Sequence, residues 1–421
     1  MMLTVSDYKK LKYEDIPLEE YWNDCQEAEL SMHTIHAYPA KFPAFIASKA
    51  FEYARQEGVE VSRVADIFCG CGTVALESKV RNVDFWGCDI NPVATLIARV
   101  KSNSYETNTL KEYFRAISEY DSQIELADDV YLQANPRLHY WFTDKSYREL
   151  LKLYLSIEKC VEDEKYREAY YCVFSAILKA CSRWLTKSIK PQVDPRKKEI
   201  DVFERFRFQY TKFLKAVEEM APYSGHTDIV CADFLSTGHL PEVDLIITSP
   251  PYVTSYEYAD LHQLSSLWLG YTDDYRKLRE GSIGSTHISD DRSANFEGLN
   301  ETGKDTVNQL LSKGNVTVKV RSIARYYSDM QKAVEKCSRM LRPGGMVFFV
   351  IGDSQYKDVK LQNARHLIES LQNNGYQDIK IAKRTVSKGI CVPYRDRKGK
   401  FSADKSGPKV YHEEYIISGR L

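Results

Sequence analysis

The amino-acid sequence predicts an α/β fold: an open, largely parallel sheet interrupted by one large helical insertion. Three observations lead there. Residues 62 to 101 alternate short apolar runs with helix-like stretches, the pattern of strands joined by right-handed crossovers. Residues 105 to 222 then carry almost no strand pattern. The alternation resumes at "TDIVCADFL" (227 to 235) and "VDLIITSPPY" (243 to 252).

Taken in order, "VADIF" reads as a short buried strand and "CGCGT" as a tight turn. "TVALESKVR" has helical spacing, "DFWGCDI" is a second strand, and "PVATLIARVK" opens a helix with proline in its first turn. The block "KSYRELLKLYLSIEKCVEDEKYREAYYCVFSAILKACSRWL" places apolar residues three and four apart, as one face of a helix requires. Its length exceeds that of an ordinary connection. The predicted organisation is therefore an N-terminal extension (1–29), a sheet domain built from 30–104 and 226–421, and a helical insertion over 105–225. The polar, Gly- and Ser-rich tract from 271 to 315 reads as a mobile loop. A helix "ARYYSDMQKAVEKCSRML", a turn "RPGG" and the strand "MVFFVIGDS" follow; another helix and the strands "YQDIKIAKRTV" and "VYHEEYIISGRL" complete the pattern.

Composition bounds the function. Apolar residues at 43% and charged residues at 28% are those of an ordinary soluble globular protein. A net charge of −1 excludes a globally basic nucleic-acid binder, so any basic surface is local. The sequence contains neither an apolar run long enough for a membrane span nor a basic-then-apolar leader. The ten cysteines form no CxxC pair, which fits reduced thiols and a cytoplasmic location rather than a disulfide framework or zinc site. His33 and His36 lie in an extended-looking segment without partner ligands, so no metal site is expected.

The turn "DIFCGCGT" places Gly70 and Gly72 where a strand bends sharply into a helix, and glycine lets a ligand approach the backbone closely. Asp66 precedes the turn, with a carboxylate suited to a ligand's amino group. Asp89 ends the second strand, where an acid accepts hydrogen bonds from ribose hydroxyls. The turn lacks the full G-x-G-x-x-G spacing, so the dinucleotide fingerprint is incomplete. Because strand, glycines, helix, strand and acid fall in order, an adenosine-containing ligand is the preferred reading. Asp233 and Phe234 in "CADF" end a third strand, with an acid to read an adenine amine and a ring to cover it. "VDLIITSPPY" ends a fourth, and its two prolines stiffen an elbow carrying Ser249, Pro250, Pro251 and Tyr252. Such an elbow suits a planar group bearing an amine: the ring stacks on Tyr252, and the amine donates to Ser249 and the Pro250 carbonyl.

Motif by motif, the sequence resembles the S-adenosylmethionine-dependent DNA amino-methyltransferases, the N4-cytosine and N6-adenine enzymes of restriction–modification systems. The likeness rests on "HTIHAYPAKFP" (33 to 43), "DIFCGCG", "DINP", "ADF", "TSPPY", "ADLHQLSSLWLG" and "LRPGGMVFFVIGD", and covers roughly the sheet domain. It implies a Rossmann-like class I methyltransferase sheet with S-adenosylmethionine as cofactor. Lys41 and Phe42 would border the cofactor; Asp66, Phe68, Gly70 and Gly72 would surround its methionine end. Asp89 would take the ribose, Asp233 and Phe234 the adenine, and Ser249, Pro250, Pro251 and Tyr252 the target base. The large helical block between "DINP" and "CADF" departs from the family pattern and leaves target recognition unassigned by analogy.

The implied substrate is a base flipped out of double-stranded DNA. No proline is followed by cysteine, which excludes the cysteine-nucleophile chemistry of C5-cytosine enzymes. Serine at the first position of the tetrapeptide favours N4-cytosine, with N6-adenine as the alternative and an RNA guanine-N2 methyltransferase as a further one. The segment "CSRWLTKSIKPQVDPRKK" supplies Arg183, Lys187, Lys190, Arg196, Lys197 and Lys198 as candidate phosphate contacts. Residues 105 to 222, with the tract near 271 to 315, are the expected recognition region, and a companion restriction endonuclease is an expected partner.

Overall fold

The computed structural model describes residues 1–23, 28–39, 41–238, 240–253, 257–285, 296–386, 394–395, 401–402 and 413–421. Seven strands form the body of one sheet: β1 (Arg63–Asp66), β2 (Asp84–Asp89), β3 (Thr227–Cys231), β4 (Val243–Thr248), β5 (Leu341–Ile351), β6 (Gln377–Thr385) and β7 (Glu413–Arg420). Their spatial order is β3-β2-β1-β4-β5-β7-β6, and Leu3–Thr4 adds a short eighth strand beyond β6. Strands β3 to β5 in that order run parallel, while β7 pairs antiparallel with both β5 and β6. Every residue of β4 is buried, as the centre of a sheet covered on both faces demands.

Helices α1 (Ala44–Gln56), α2 (Thr73–Lys79) and α3 (Pro92–Ser102) belong to the first half of the sheet domain. Asn91 caps α3 by accepting from the Val93 amide at 3.0 Å, and Pro92 occupies its first turn. Between β2 and β3 the described elements are all helical: after α3 come α4 (Thr107–Asp121), α5 (Pro136–Trp141), α6 (Asp144–Cys160), α7 (Glu164–Cys181) and α8 (Val202–Met220). Asn135, Thr143, Asp163 and Asp201 cap the last four of these. Their apolar faces enclose Trp141, Tyr170, Phe174 and Phe206, and the same core continues into Leu96 and Ile97 of α3.

Short helices α9 (Tyr258–Leu261) and α10 (Gln263–Trp268) follow the elbow, with Trp268 buried in the core of the helical block. In the tract expected as a mobile loop, Glu301–Ser312 forms the helix α11 instead. Asn300 caps it through the Gly303 amide at 2.9 Å, and Val307 and Leu310 bury against the sheet-domain core. The polar composition of the tract hid that apolar face; residues 286–295 of the same tract lie outside the described residues. Helices α12 (Val318–Met340) and α13 (Asn363–Asn373) complete the domain. The segment at 31–34 is a 3₁₀ turn rather than extended, and buried His33 pairs with Glu77 at 2.9 Å. Among the described residues, no cluster could hold a metal ion and no helix is long and apolar enough to cross a membrane.

Candidate active site

Parallel strands bring their carboxyl ends to one edge, and in an open α/β sheet that edge forms the ligand crevice. Asp66 at the end of β1, Asp89 at the end of β2 and the Thr248–Tyr252 elbow after β4 all meet there. Asp66 is 3% exposed and accepts from Thr248 Oγ1 at 2.6 Å and from the Phe68 amide at 3.1 Å. Burial pushes its carboxyl up to about 7, against the opposing pull of those two hydrogen bonds. Asp89 accepts from the Gly70 amide at 2.9 Å and the Asn91 amide at 2.8 Å, so one carboxylate ties the glycine turn to the acidic turn. Burial raises its pKa as well.

The two glycines do different work. Gly72 has φ +76°, and a Cβ there would stand 2.7 Å from the backbone of Ala98 in α3, so its role is close helix packing. Gly70 has φ +47°, and a Cβ there would meet only the Tyr38 ring, at 3.8 Å. A side chain at Gly70 would therefore rest in ordinary contact with an aromatic ring rather than clash with backbone. Tyr38 stacks on His262 with centroids 4.9 Å apart, which joins the N-terminal "HAYP" segment to the start of α10.

Phe68 is half-buried and meets Phe234 edge-on at 6.4 Å, while Phe234 itself is only 3% exposed under the Lys336 ammonium. Of that pair, Phe68 is the ring that reaches the crevice surface. Asp233 accepts from the Leu235 amide at 3.0 Å and Ser236 Oγ at 2.8 Å. Lys41 pairs with Glu29, and Phe42 packs beside α1.

In the elbow, Ser249 Oγ donates to the Val350 carbonyl at 3.0 Å, and Pro250 is buried. The Tyr252 hydroxyl donates to Glu414 Oε1 at 2.8 Å, and a Cβ on Gly352 would stand 2.9 Å from the tyrosine ring. A short strap lies over this region. A Cβ on Gly281 would stand 3.0 Å from Ile90, and one on Gly284 would stand 3.4 Å from Tyr326 and 3.8 Å from the Tyr252 carbonyl. Ser322 Oγ fixes the strap through the Gly284 and Ser285 carbonyls, each at 3.1 Å.

The basic cluster belongs to the insertion and divides in two. Arg183 spends its guanidinium on the His139 and Tyr140 carbonyls, and Lys197 donates to the Lys179 and Trp184 carbonyls at 2.7 and 2.8 Å. Lys187, Lys190, Arg196 and Lys198 are exposed. Tyr38 in "HAYP" and Thr248 at the start of "TSPPY" join the crevice contacts without any spacing in the sequence that marks them. Glu414 and Arg384 carried no signal beyond membership of a strand.

A sheet ordered β3-β2-β1-β4-β5-β7-β6, with reversed β7 and a glycine turn after β1, is the Rossmann-like fold of class I methyltransferases. No family model matches the chain. Among curated proteins it is similar to the type II methyltransferase M.MvaI of Kocuria varians, 25% identical over 366 residues that cover 78% of each chain. Solved structures similar to it include the rRNA methyltransferase AviRa of Streptomyces viridochromogenes, at 10% identity over 81% of this chain and 93% of that one, TM-score 0.28. Another is an S-adenosylmethionine-dependent methyltransferase from Methanosarcina mazei, at 7% identity over 91% and 98%, TM-score 0.29.

Proposed function

We propose that the chain is a site-specific DNA methyltransferase that moves a methyl group from S-adenosylmethionine to the exocyclic N4 amine of a flipped cytosine. One observation carries this reading: the Ser249 hydroxyl hydrogen is committed to the Val350 carbonyl at 3.0 Å. A hydroxyl so engaged offers its lone pairs as acceptors. An exocyclic base amine is a poor nucleophile because its lone pair is delocalised into the ring. Donation from that amine to Ser249 and the Pro250 carbonyl favours the pyramidal nitrogen whose lone pair is free to attack. The remaining work is positioning.

The cofactor is S-adenosylmethionine, which supplies a sulfonium methyl as electrophile. At Gly70 a side chain would meet the Tyr38 ring and no backbone, which suits a ligand lying against the turn, in contrast to Gly72, whose space is filled by α3. Asp66, Phe68 and Gly70 would surround its methionine end, Asp89 its ribose and Asp233 its adenine, with Lys41 and Phe42 at the border; Gly72 would shape the turn by its packing on α3, and Phe234 would support Phe68 from beneath. Tyr252 would stack on the flipped base.

Likeness to a type II methyltransferase over 78% of each chain supports DNA as substrate, and a companion restriction endonuclease would be the partner. Lys187, Lys190, Arg196 and Lys198 would contact phosphates. The insertion and the tract after 271 would share recognition, since Asn135 Nδ2 donates to the Asp273 carbonyl at 2.8 Å and Arg137 lies 5.3 Å over the Tyr275 ring. Mass spectrometry of nucleosides from DNA treated with the purified protein tests the reading. N4-methylcytosine is expected. N6-methyladenine alone would overturn the base assignment, and methylation of tRNA but not duplex DNA would overturn the substrate.

A further inference from the structure

Tyr252 is held from two sides by groups that no sequence motif of the elbow contains. Its hydroxyl donates to Glu414 Oε1 at 2.8 Å, and burial with the neighbouring carboxylate keeps the phenol protonated, so the direction of that bond is fixed. The other oxygen, Glu414 Oε2, accepts from Arg384 Nε at 2.8 Å and Nη2 at 2.7 Å. Glu414 and Arg384 are directly opposed residues of β7 and β6, so the sheet register itself sets this pair. Arg384 is 1% exposed and its guanidinium lies 5.5 Å over the Phe45 ring of α1. Beneath the tyrosine, Gly352 leaves room that any side chain would fill: a Cβ would sit 2.9 Å from the ring.

We infer that Glu414 and Arg384 are positioning residues that clamp Tyr252 as a fixed platform for the target base, with Gly352 as the seat for its ring. The chain of contacts runs from Phe45 through Arg384 and Glu414 to Tyr252, so it joins the elbow to the helix that follows the Lys41–Phe42 segment. The carboxylate touches neither substrate nor cofactor in this scheme and acts only through the tyrosine. A ring left to rotate would lose stacking geometry, and misplacement of about 1 Å in such a site costs roughly a hundredfold in rate. The inference rests on the base-methylation reading for its kinetic consequence, and on the contacts alone for its mechanical one.

The test uses the full chain and four variants. Removing only Glu414 would strand a buried guanidinium, so the clamp is deleted as a pair by Arg384→Met with Glu414→Leu. Arg384→Met with Glu414→Gln keeps an acceptor for the hydroxyl and leaves no guanidinium unpaired, Tyr252→Phe removes the donor, and the fourth variant combines Tyr252→Phe with the clamp deletion. On duplex DNA carrying the mapped target, clamp deletion is expected to lower kcat about 10- to 100-fold with little change in the KM for S-adenosylmethionine. Arg384→Met with Glu414→Gln is expected to recover most of the loss, and clamp deletion in the Tyr252→Phe background is expected to add none. An equal loss in both backgrounds, or unchanged kcat, would overturn the inference. Fluorine NMR of 3-fluorotyrosine at position 252 reads the clamp without catalysis: one slowly flipping ring is expected, and averaged signals after clamp deletion. Averaged signals already in the unmodified clamp would overturn it. An inactive chain whose ring is nonetheless fixed would defeat the methyltransferase reading and leave the clamp standing.

Discussion

The strand-end acids and the cations of the insertion are both polar groups at a proposed binding surface, yet the protein treats them differently. Asp66, Asp89 and Asp233 each accept a backbone amide two residues on, and Asp66 and Asp89 are held further by Thr248 and Gly70, so all three are fixed by bonds of their own. Of the cations, Arg183 and Lys197 are consumed by carbonyls that hold the 181–198 segment together, and the exposed ones project from its surface. The sheet edge is therefore a preorganised site. The insertion is an aromatic-packed scaffold with its exposed cations on the outside.

Breaking the scaffold should cost most. Trp141 is 1% exposed and stacks on Trp184 at 4.9 Å, so Trp141→Ala is expected to lose about 3–5 kcal/mol in urea unfolding. If the comparison holds, folded protein would still bind S-adenosylmethionine in calorimetry. The next effect is pH-dependent. The carboxyl of Asp66 titrates near 7 in the fold, well above its ordinary value, so the native state keeps the proton where the unfolded chain has lost it. Stability from this group is full below about pH 4 and is lost as pH rises through about 7, a difference on the order of 4 kcal/mol. Asp66→Asn should flatten that part of the curve, measured as unfolding free energy between pH 4.5 and 8; an unchanged slope would place the titration elsewhere.

Ser249→Ala probes the elbow itself. Loss of one preorganised partner in a site of this kind costs about a hundredfold to a thousandfold in kcat. Cofactor affinity should be unaffected, as should thermal stability beyond about 1 kcal/mol for the unpaired Val350 carbonyl. The smallest effect sharpens the division among the cations. Lys187→Ala is expected to reduce the slope of log affinity for DNA against log salt by about 0.9, the release from one phosphate contact. Lys197→Ala should instead lower stability and leave the salt slope alone.

The turns at the sheet edge were legible in sequence because the bonds of Asp66 to Phe68, Asp89 to Asn91 and Asp233 to Leu235 join residues two positions apart. "DIFCGCGT" carries its own turn chemistry, and the Pro250–Pro251 pair announces a stop. What sequence could not show were contacts made across the sheet. Nothing near "EEYIISGR" marks Glu414 as a partner of Tyr252, since that pairing depends on the β6–β7 register. Helix α11 escaped for another reason: its buried face is built largely from threonine, glycine and scattered aliphatics, which read as polar loop until a core is supplied. The insertion was recognisable as helical from its spacing, but which of its cations are structural depends on carbonyls brought in by the fold.

The bond between Tyr252 and Glu414 spans 162 residues of chain, and β1 meets β4 only after the whole helical block has been made. Contacts of such separation form late, because the intervening chain must first be ordered. During synthesis, the helical block and the glycine turn are made before the elbow, and the Tyr252 hydroxyl has no access to Glu414 until β7 has followed. A nascent chain that already holds the glycine turn therefore still lacks the partner of the Tyr252 hydroxyl, which comes only with β7.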